Sequence, residues 1–470
     1  MQGFASTHDA ISQAMVAAIL IGVFVLLAAD RVHRVLVPIG AVALTWAISY
    51  LTPFRLISFE ASQKAVDLNV ILLLFAMMAL VGVLKTTNIF AWAADRLLER
   101  SRGNPSRCAA LIIWFTGILS AFLDNVTAVI FTYPMVSAMA RRLKVNGSAF
   151  FLPMVMASNI GGTATLIGDP PNVLIGTDPR THLAFMDFIY NLTPPCAVMM
   201  AVLVWYSRRY YPVDIGRAAG RDHADAAKST GATLVNLPLL RIIGWVSLMI
   251  LFGFASSTYT GMPVSVPAII GITIILLAQD YLYLKEHRPT PEERQHGVLD
   301  ILEKEVEWPT LAFFLFLFVL VGASVETGLI ESMARALGWL IDRLAGGLAL
   351  GPRATLLAAA LLILWVSGVL SAFINNIPYA AVMIPLVANL LDRMHPGPDG
   401  QILWWALALG ACLGGNGTLI GASANVAVTG LAEKDGKRIS FGEFTRYGAR
   451  VTAITLVISS LYLALWLSVR

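Results

Sequence analysis

Residues 158–172 read Ser-Asn-Ile-Gly-Gly-Thr-Ala-Thr-Leu-Ile-Gly-Asp-Pro-Pro-Asn, inside an apolar run over 148–177. Three glycines and two prolines in that stretch cannot sustain an unbroken helix. They free backbone carbonyls and amides, which must find partners in a region without bulk water. Unwound carbonyls suit a cation, and half-helix N-termini suit an anion or a neutral oxygen-rich solute. The stretch also recurs. Gly161-Gly-Thr-Ala-Thr-Leu-Ile-Gly-Asp-Pro-Pro-Asn172 matches Gly414-Gly-Asn-Gly-Thr-Leu-Ile-Gly-Ala-Ser-Ala-Asn425.

Working outward, the repeat extends over most of each half. Ser120-Ala-Phe-Leu-Asp-Asn-Val runs on to Pro134, and Ser371-Ala-Phe-Ile-Asn-Asn-Ile runs on to Pro385 at identical spacing. Leu80-Val-Gly recurs at Leu320-Val-Gly. A period this long is read before any single motif.

The surroundings are membrane-like. Hydrophobic residues make up 57% of the 470, charged residues 13%, and the mean hydropathy is +0.73. A soluble chain of this size needs roughly a quarter of its residues charged, so the exterior faces lipid. The net charge of +4 is small and points to no nucleic acid. Cys108, Cys196 and Cys412 are scattered, with neither disulfide nor zinc spacing. No Lys or Arg precedes the first apolar run, so it reads as a retained helix, not a signal peptide.

Ten spans are expected, over 11–29, 35–51, 68–87, 148–177, 191–207, 237–256, 263–283, 309–327, 402–430 and 450–468. Two further apolar stretches, 108–140 and 354–391, carry a polar cluster at mid-length. Arginines 96, 100, 102 and 107 precede the first, and Arg141, Arg142 and Lys144 follow it. Both its ends are therefore cytoplasmic, which makes it a re-entrant hairpin with a protein-buried tip. Treating 354–391 alike gives an all-α polytopic membrane protein of two inverted repeats with broken helices. The repeats cover 1–215 and 237–470, joined by a cytoplasmic linker at 216–236. The chain then sits in the inner (plasma) membrane with its N-terminus outside.

Paired interrupted segments in inverted halves are the best sequence pointer to a transport site. The candidates are Ser120, Asp124, Asn125 and Thr127 at the first tip, and Asn159, Gly162, Thr163, Thr165, Asp169 and Asn172 in the first break. Their counterparts are Ser371, Asn375, Asn376, Asn416, Thr418, Ser423 and Asn425. Asp124 and Asp169 are the acids, and their repeat partners Asn375 and Ala422 are neutral. A mid-membrane Asp costs about 2.5–3.5 kcal/mol on insertion scales, so each implies use. Asp124 is expected to carry the coupling ion, H⁺ or Na⁺, with Asn125 and Gly162 completing a Na⁺ site. Asp169, beside Pro170, has a helix cap as its alternative. All seven histidines (8, 33, 182, 223, 287, 296 and 395) fall in loops or at span ends, as do Asp30, Asp280 and Glu326. No Lys or Arg falls at the inferred site, which counts against a multivalent anion. No catalytic pairing stands out, so the chain is not read as an enzyme.

On these tips and breaks the chain resembles the ion transporter superfamily over nearly its full length. It is most similar to the branch of arsenite efflux permeases, NhaD-type Na⁺/H⁺ antiporters and the melanosomal P protein. The resemblance implies a homodimer with a scaffold and a mobile transport domain moving as an elevator, and an energising ATPase subunit as a further partner. Dicarboxylate symporters of the superfamily carry Ser-Asn-Thr at the tips. Here Val126 and Ile377 stand at the Thr position. The expectation is a secondary transporter of a small inorganic solute, with proton-coupled arsenite or antimonite efflux leading. A Na⁺/H⁺ antiporter and a channel-like anion pathway or anion/cation symporter are the alternatives.

The charge bias makes one direct prediction. A cysteine substituted for Arg142 should label with an impermeant thiol reagent from the cytoplasmic side only; labelling from outside overturns the topology.

Overall fold

In the computed structural model, residues 9–29, 32–216, 231–287, 299–347 and 351–469 are described. Asp30, His8, His223, His296 and most of the 216–236 linker lie outside them. The described residues form helices joined by short connections, with no strand. The chain is an all-α polytopic membrane protein.

Each half runs through the same series of elements. The first has Ala10–Ala29, Leu36–Leu51, the short Phe59–Ala65, Leu68–Thr86 and Ile89–Ser101. A hairpin follows, with arms Pro105–Phe122 and Asn125–Leu143, then a broken helix, Ser148–Thr163 and Pro170–Thr177, and the long Phe185–Tyr210. The second has Leu237–Thr260, Ser265–His287, a short helix at 299–304, Trp308–Glu326 and Leu329–Gly347. Its hairpin is Pro352–Phe373 and Asn376–Met394, its broken helix Gln401–Gly414 and Ser423–Lys434, and Phe441–Val469 closes the chain.

Ten helices among the described residues are long and apolar enough to cross a membrane, but they are not the ten expected. The runs at 148–177 and 402–430 each divide in two, and Leu36–Leu51 has only 16 residues. Three hairpin arms, Pro105–Phe122, Pro352–Phe373 and Asn376–Met394, reach spanning length instead. Their tips nevertheless lie at the breaks. The Thr165 hydroxyl donates to Ala121 O at the end of the first arm, and Thr418 donates to Ala372 O in the second half.

Two longer helices lie outside both the expected spans and the expected hairpins, Ile89–Ser101 and Leu329–Gly347. Both are amphipathic, with charged residues such as Arg96, Glu99 and Arg100 along one side, which disqualifies them as spans. The two short helices cross over between halves. Gly322 of the second half packs on Ala65, and Gly82 of the first packs on Ile301 and Glu305.

The helices assemble into two groups. Hairpins, broken helices, Phe185–Tyr210 and Phe441–Val469 pack on one another. Leu36–Leu51, Leu68–Thr86, Leu237–Thr260, Ser265–His287 and Trp308–Glu326 form the other. The centre of the first group is Ser148–Thr163, every residue of which is buried, and Gln401–Gly414, buried from Ile402 onward. A helix apolar on all sides belongs in such a position. Outer helices turn large apolar side chains outward, with Trp245 74% and Phe252 75% exposed, as lipid contact requires.

Glycine fixes how closely hairpin and broken helix approach. A Cβ on Gly161 would lie 2.0 Å from Gly117 O, and one on Gly414 would lie 2.6 Å from Gly368 O. Small residues that let helix backbones touch are the usual glue inside membranes. Gly161→Ala should therefore lower the detergent melting temperature, with a cost of about 1–3 kcal/mol from overpacking. Gly430→Ala, where an added Cβ meets nothing within 4 Å, should leave it unchanged or raise it. Equal melting of the two variants would refute the close crossing.

Candidate functional site

Breaking a helix leaves up to four carbonyls without partners at the end of its first segment. The chain meets this need the same way twice. Asn172 Nδ2 donates to Thr163 O and Thr165 O at 2.9 and 2.8 Å. Asn425 Nδ2 donates to Gly415 O and Thr418 O at 2.7 and 2.8 Å. One carboxamide per half thus stitches the two segments across the gap. Ahead of each stitch, Asp169 and Ala422 share an extended backbone, at φ −140°.

Asp169 lies at the centre of the assembly, fully buried. Its Oδ1 accepts from Asn125 Nδ2 at 3.3 Å and from Asn376 Nδ2 at 3.2 Å, so both hairpin tips converge on one carboxylate. No salt bridge joins it to a basic side chain among the described residues. Behind it an amide chain crosses the halves. Asn125 Nδ2 donates to Asn159 Oδ1 at 3.1 Å, and Asn159 Nδ2 donates to Asn416 Oδ1 at 2.8 Å and Asn425 Oδ1 at 3.1 Å. The repeat counterpart of Asn159 is Cys412, whose thiol approaches Asn172 Oδ1 at 3.5 Å.

The two acids occupy different stations from those expected. Asp124 Oδ1 accepts from Thr127 N at 3.0 Å and caps the second hairpin arm, and Asn375 caps its counterpart through Ile377 N at 3.1 Å. Asp169 makes no side-chain cap. Pro170 and Pro171 carry no N–H, so the first turn has little to offer it.

Asp124, Asn125, Asp169, Asn376 and Ser423 line a cavity of about 580 Å³. Three groups outside the sequence motifs join them: Arg34, His33 and Glu307. The expectation that no basic residue reaches the site therefore fails. Arg34 comes from the connection between the first two helices, and its Nη1 donates to Ser423 Oγ at 3.4 Å. Asn375 Nδ2 donates to the same hydroxyl at 3.2 Å. Nothing in the motif spacing signals Arg34, because 389 positions separate it from Ser423.

The remaining candidates stand behind the cavity. Thr163 and Ser371 spend their hydroxyls on Asn159 O and Ala411 O, at 2.7 and 2.5 Å. Ser120 differs from its counterpart Ser371: its buried Oγ has no partner among the described residues. Beside it the backbone is crowded with oxygen. A Cβ on Gly168 would lie 2.5 Å from Ser120 O and 2.7 Å from Gly162 O.

Paired tips meeting paired breaks, with one acid held between them, define a secondary transporter. The chain belongs to the CitMHS family, described as citrate transporters, whose family model matches residues 23–410. It is similar to an uncharacterised transporter of Mycobacterium tuberculosis, 37% identical over 449 residues that cover 96% of this chain and 97% of the relative. The human P protein is 29% identical over 521 residues, covering 95% of this chain and 59% of that protein. Two solved structures share the fold. The Alcanivorax borkumensis YdaH transporter has a TM-score of 0.61 at 14% identity, covering 97% of this chain and 98% of its own. Neisseria gonorrhoeae MtrF, described within a class of antimetabolite efflux pumps, has a TM-score of 0.58 at 13% identity, covering 97% and 94%.

Removing the central amide should cost more than its volume suggests. Asn159→Ala strips the donor from two buried amide oxygens, each worth about 1–3 kcal/mol when left unpaired. We expect a lower melting temperature than for Asn389→Ala, whose amide donates to Pro385 O on its own helix. A melting temperature equal to that of Asn389→Ala would show that the amide chain contributes nothing.

Proposed function

We propose that the chain exports a small oxygen-rich inorganic solute across the plasma membrane in exchange for protons, with arsenite or antimonite as the leading substrate and Asp169 as the coupling group. The supporting observation is the Asp169 carboxylate, buried without a salt bridge among the described residues and gripped by the amides of both tips. Ionised, it accepts from Asn125 and Asn376 and draws the tips together. Protonated, it becomes a donor and releases a tip amide to the solute. Charge on one atom group then decides whether the tips bind each other or the cargo.

The cavity supports a neutral solute over a multivalent anion. Asp124, Asp169 and Glu307 face one guanidinium, Arg34. An uncharged hydroxylated solute such as arsenite can use amides and hydroxyls without a fixed cation. With the N-terminus outside, the mouth at Val32–Val35 and Glu307 opens to the cytoplasm, where an exported solute enters. Two inverted halves provide the alternation of access.

A second reading, with Na⁺ in place of the proton, is favoured by the Ser120 hydroxyl and its neighbouring carbonyls. The second half has similar carbonyls, but Ser371 has already spent its hydroxyl on Ala411 O. That reading therefore has one Na⁺ bound, on the first-half side.

Proteoliposomes under an imposed pH or Na⁺ gradient, offered arsenite and citrate in turn, separate these readings. One coupled charge supports roughly fifty-fold accumulation across ~100 mV. Asp169→Asn should abolish that accumulation. Asp124→Asn should retain it with little change in stability, because Asn caps a helix about as well as Asp and already does so at Asn375. Accumulation that survives Asp169→Asn removes the acid from the mechanism. Citrate uptake without arsenite transport replaces the substrate.

A further inference from the structure

Behind the first hairpin tip lies a second, chemically different space of about 510 Å³. Its walls come from Leu68–Thr86, Ile89–Ser101, the Pro105–Phe122 arm and Leu237–Thr260, and its floor is Leu123 and Ile167, at the tip and the break. Apart from the Ser247 hydroxyl and the Trp92 indole, every lining side chain is apolar. Water needs two to four polar partners and finds almost none there. An empty void of that size would forfeit dispersion contacts on every side. The space is not sealed, since Phe122 at its edge is 44% exposed on a surface that faces hydrocarbon.

The rim carries a different chemistry. An adjoining basin of about 320 Å³ shares Phe90 with the apolar crevice and is lined by Lys85, Arg142 and Asp95, whose carboxylate accepts from Ala232 N. Lys85 lies 2.8 Å from Glu305 and 5.9 Å from the Phe131 ring, which stacks on Phe90 at 4.2 Å. The amphipathic helix Ile89–Ser101 thus divides an apolar slot from a charged ledge that holds two cations, which is the division within a phospholipid molecule.

We propose that this crevice binds one anionic phospholipid, its acyl chain in the slot and its phosphate over Lys85 and Arg142. The chain end then reaches Leu123 and Ile167, so lipid forms part of the packing between the hairpin tip and the Leu237–Thr260 helix. This lipid differs from the annular shell, because protein surrounds it on several sides.

Native mass spectrometry of the purified full chain, delipidated in detergent and resupplied with phosphatidylglycerol or phosphatidylcholine, tests the site. We expect one phospholipid per chain to survive delipidation, and phosphatidylglycerol to rebind about tenfold more tightly than phosphatidylcholine. Ala93→Phe and Leu119→Trp, filling the slot from opposite walls, should each lower occupancy about tenfold. Ile118→Trp, on the 57% exposed outer face of the same arm, should leave occupancy unchanged. Lys85→Gln with Arg142→Gln should remove the headgroup preference and keep the acyl chain. Absence of a retained lipid in the wild-type chain overturns the proposal, as does equal retention in both slot-filling variants. Equal loss in Ile118→Trp assigns the lipid to the annulus and overturns it too.

Discussion

Inside hydrocarbon, no backbone polar group is left to water, and this requirement governs both breaks. Each broken helix interrupts its own ladder at mid-membrane, and each half repairs the gap with one asparagine and one threonine. Asn172 and Asn425 take the stranded carbonyls, while Thr165 and Thr418 take those of the neighbouring hairpin arm. Once these bonds are made, the position of each hairpin tip is settled, because the tip ends on the break that it helps to satisfy. The close contacts at Gly117 with Gly161 and at Gly368 with Gly414 follow from the same alignment.

The repair is symmetric and the site is not. Asn125 and Asn376 are equivalent, yet both turn to Asp169, which has only Ala422 as its counterpart. Asn159 reaches across to the second half with two bonds, whereas Cys412 returns one weak contact. Duplication therefore supplies a shared framework, and a few substitutions at the point where the halves meet make a single acidic centre. A framework whose carbonyls at the breaks are bonded can hold such an acid without collapsing around it.

Much of this was legible in the sequence. The repeated Gly-Gly…Gly…Asn stretches located both breaks, and the Asp-Asn and Asn-Asn pairs located both tips. The amphipathic helices Ile89–Ser101 and Leu329–Gly347 are passed over, because a charged stripe fails a search for uniformly apolar spans. The roles of the acids carried a weaker signal. Asp169 precedes two prolines and so has few N–H groups to cap, while Asp124 precedes Asn-Val-Thr and has a full set. The sequence expectation assigns them the other way round, with Asp124 carrying the ion and a cap as the alternative for Asp169, because it weighs each acid's depth and not the N–H groups that follow it. Arg34 was beyond reach, since its place at the cavity depends on how a distant connection folds over the second half.

The bond between Asn376 and Asp169 spans 207 positions of the chain. During synthesis at about 5–20 residues per second, Asp169 enters the membrane roughly 10–40 s before Asn376 is made. For that interval the first half holds its carboxylate with Asn125 as its only tip donor. The acidic centre is thus completed late in biogenesis, and a chain that stops short of residue 376 cannot assemble it. Supplying the missing half as a separate polypeptide restores every donor, so the two halves form a natural split point for complementation.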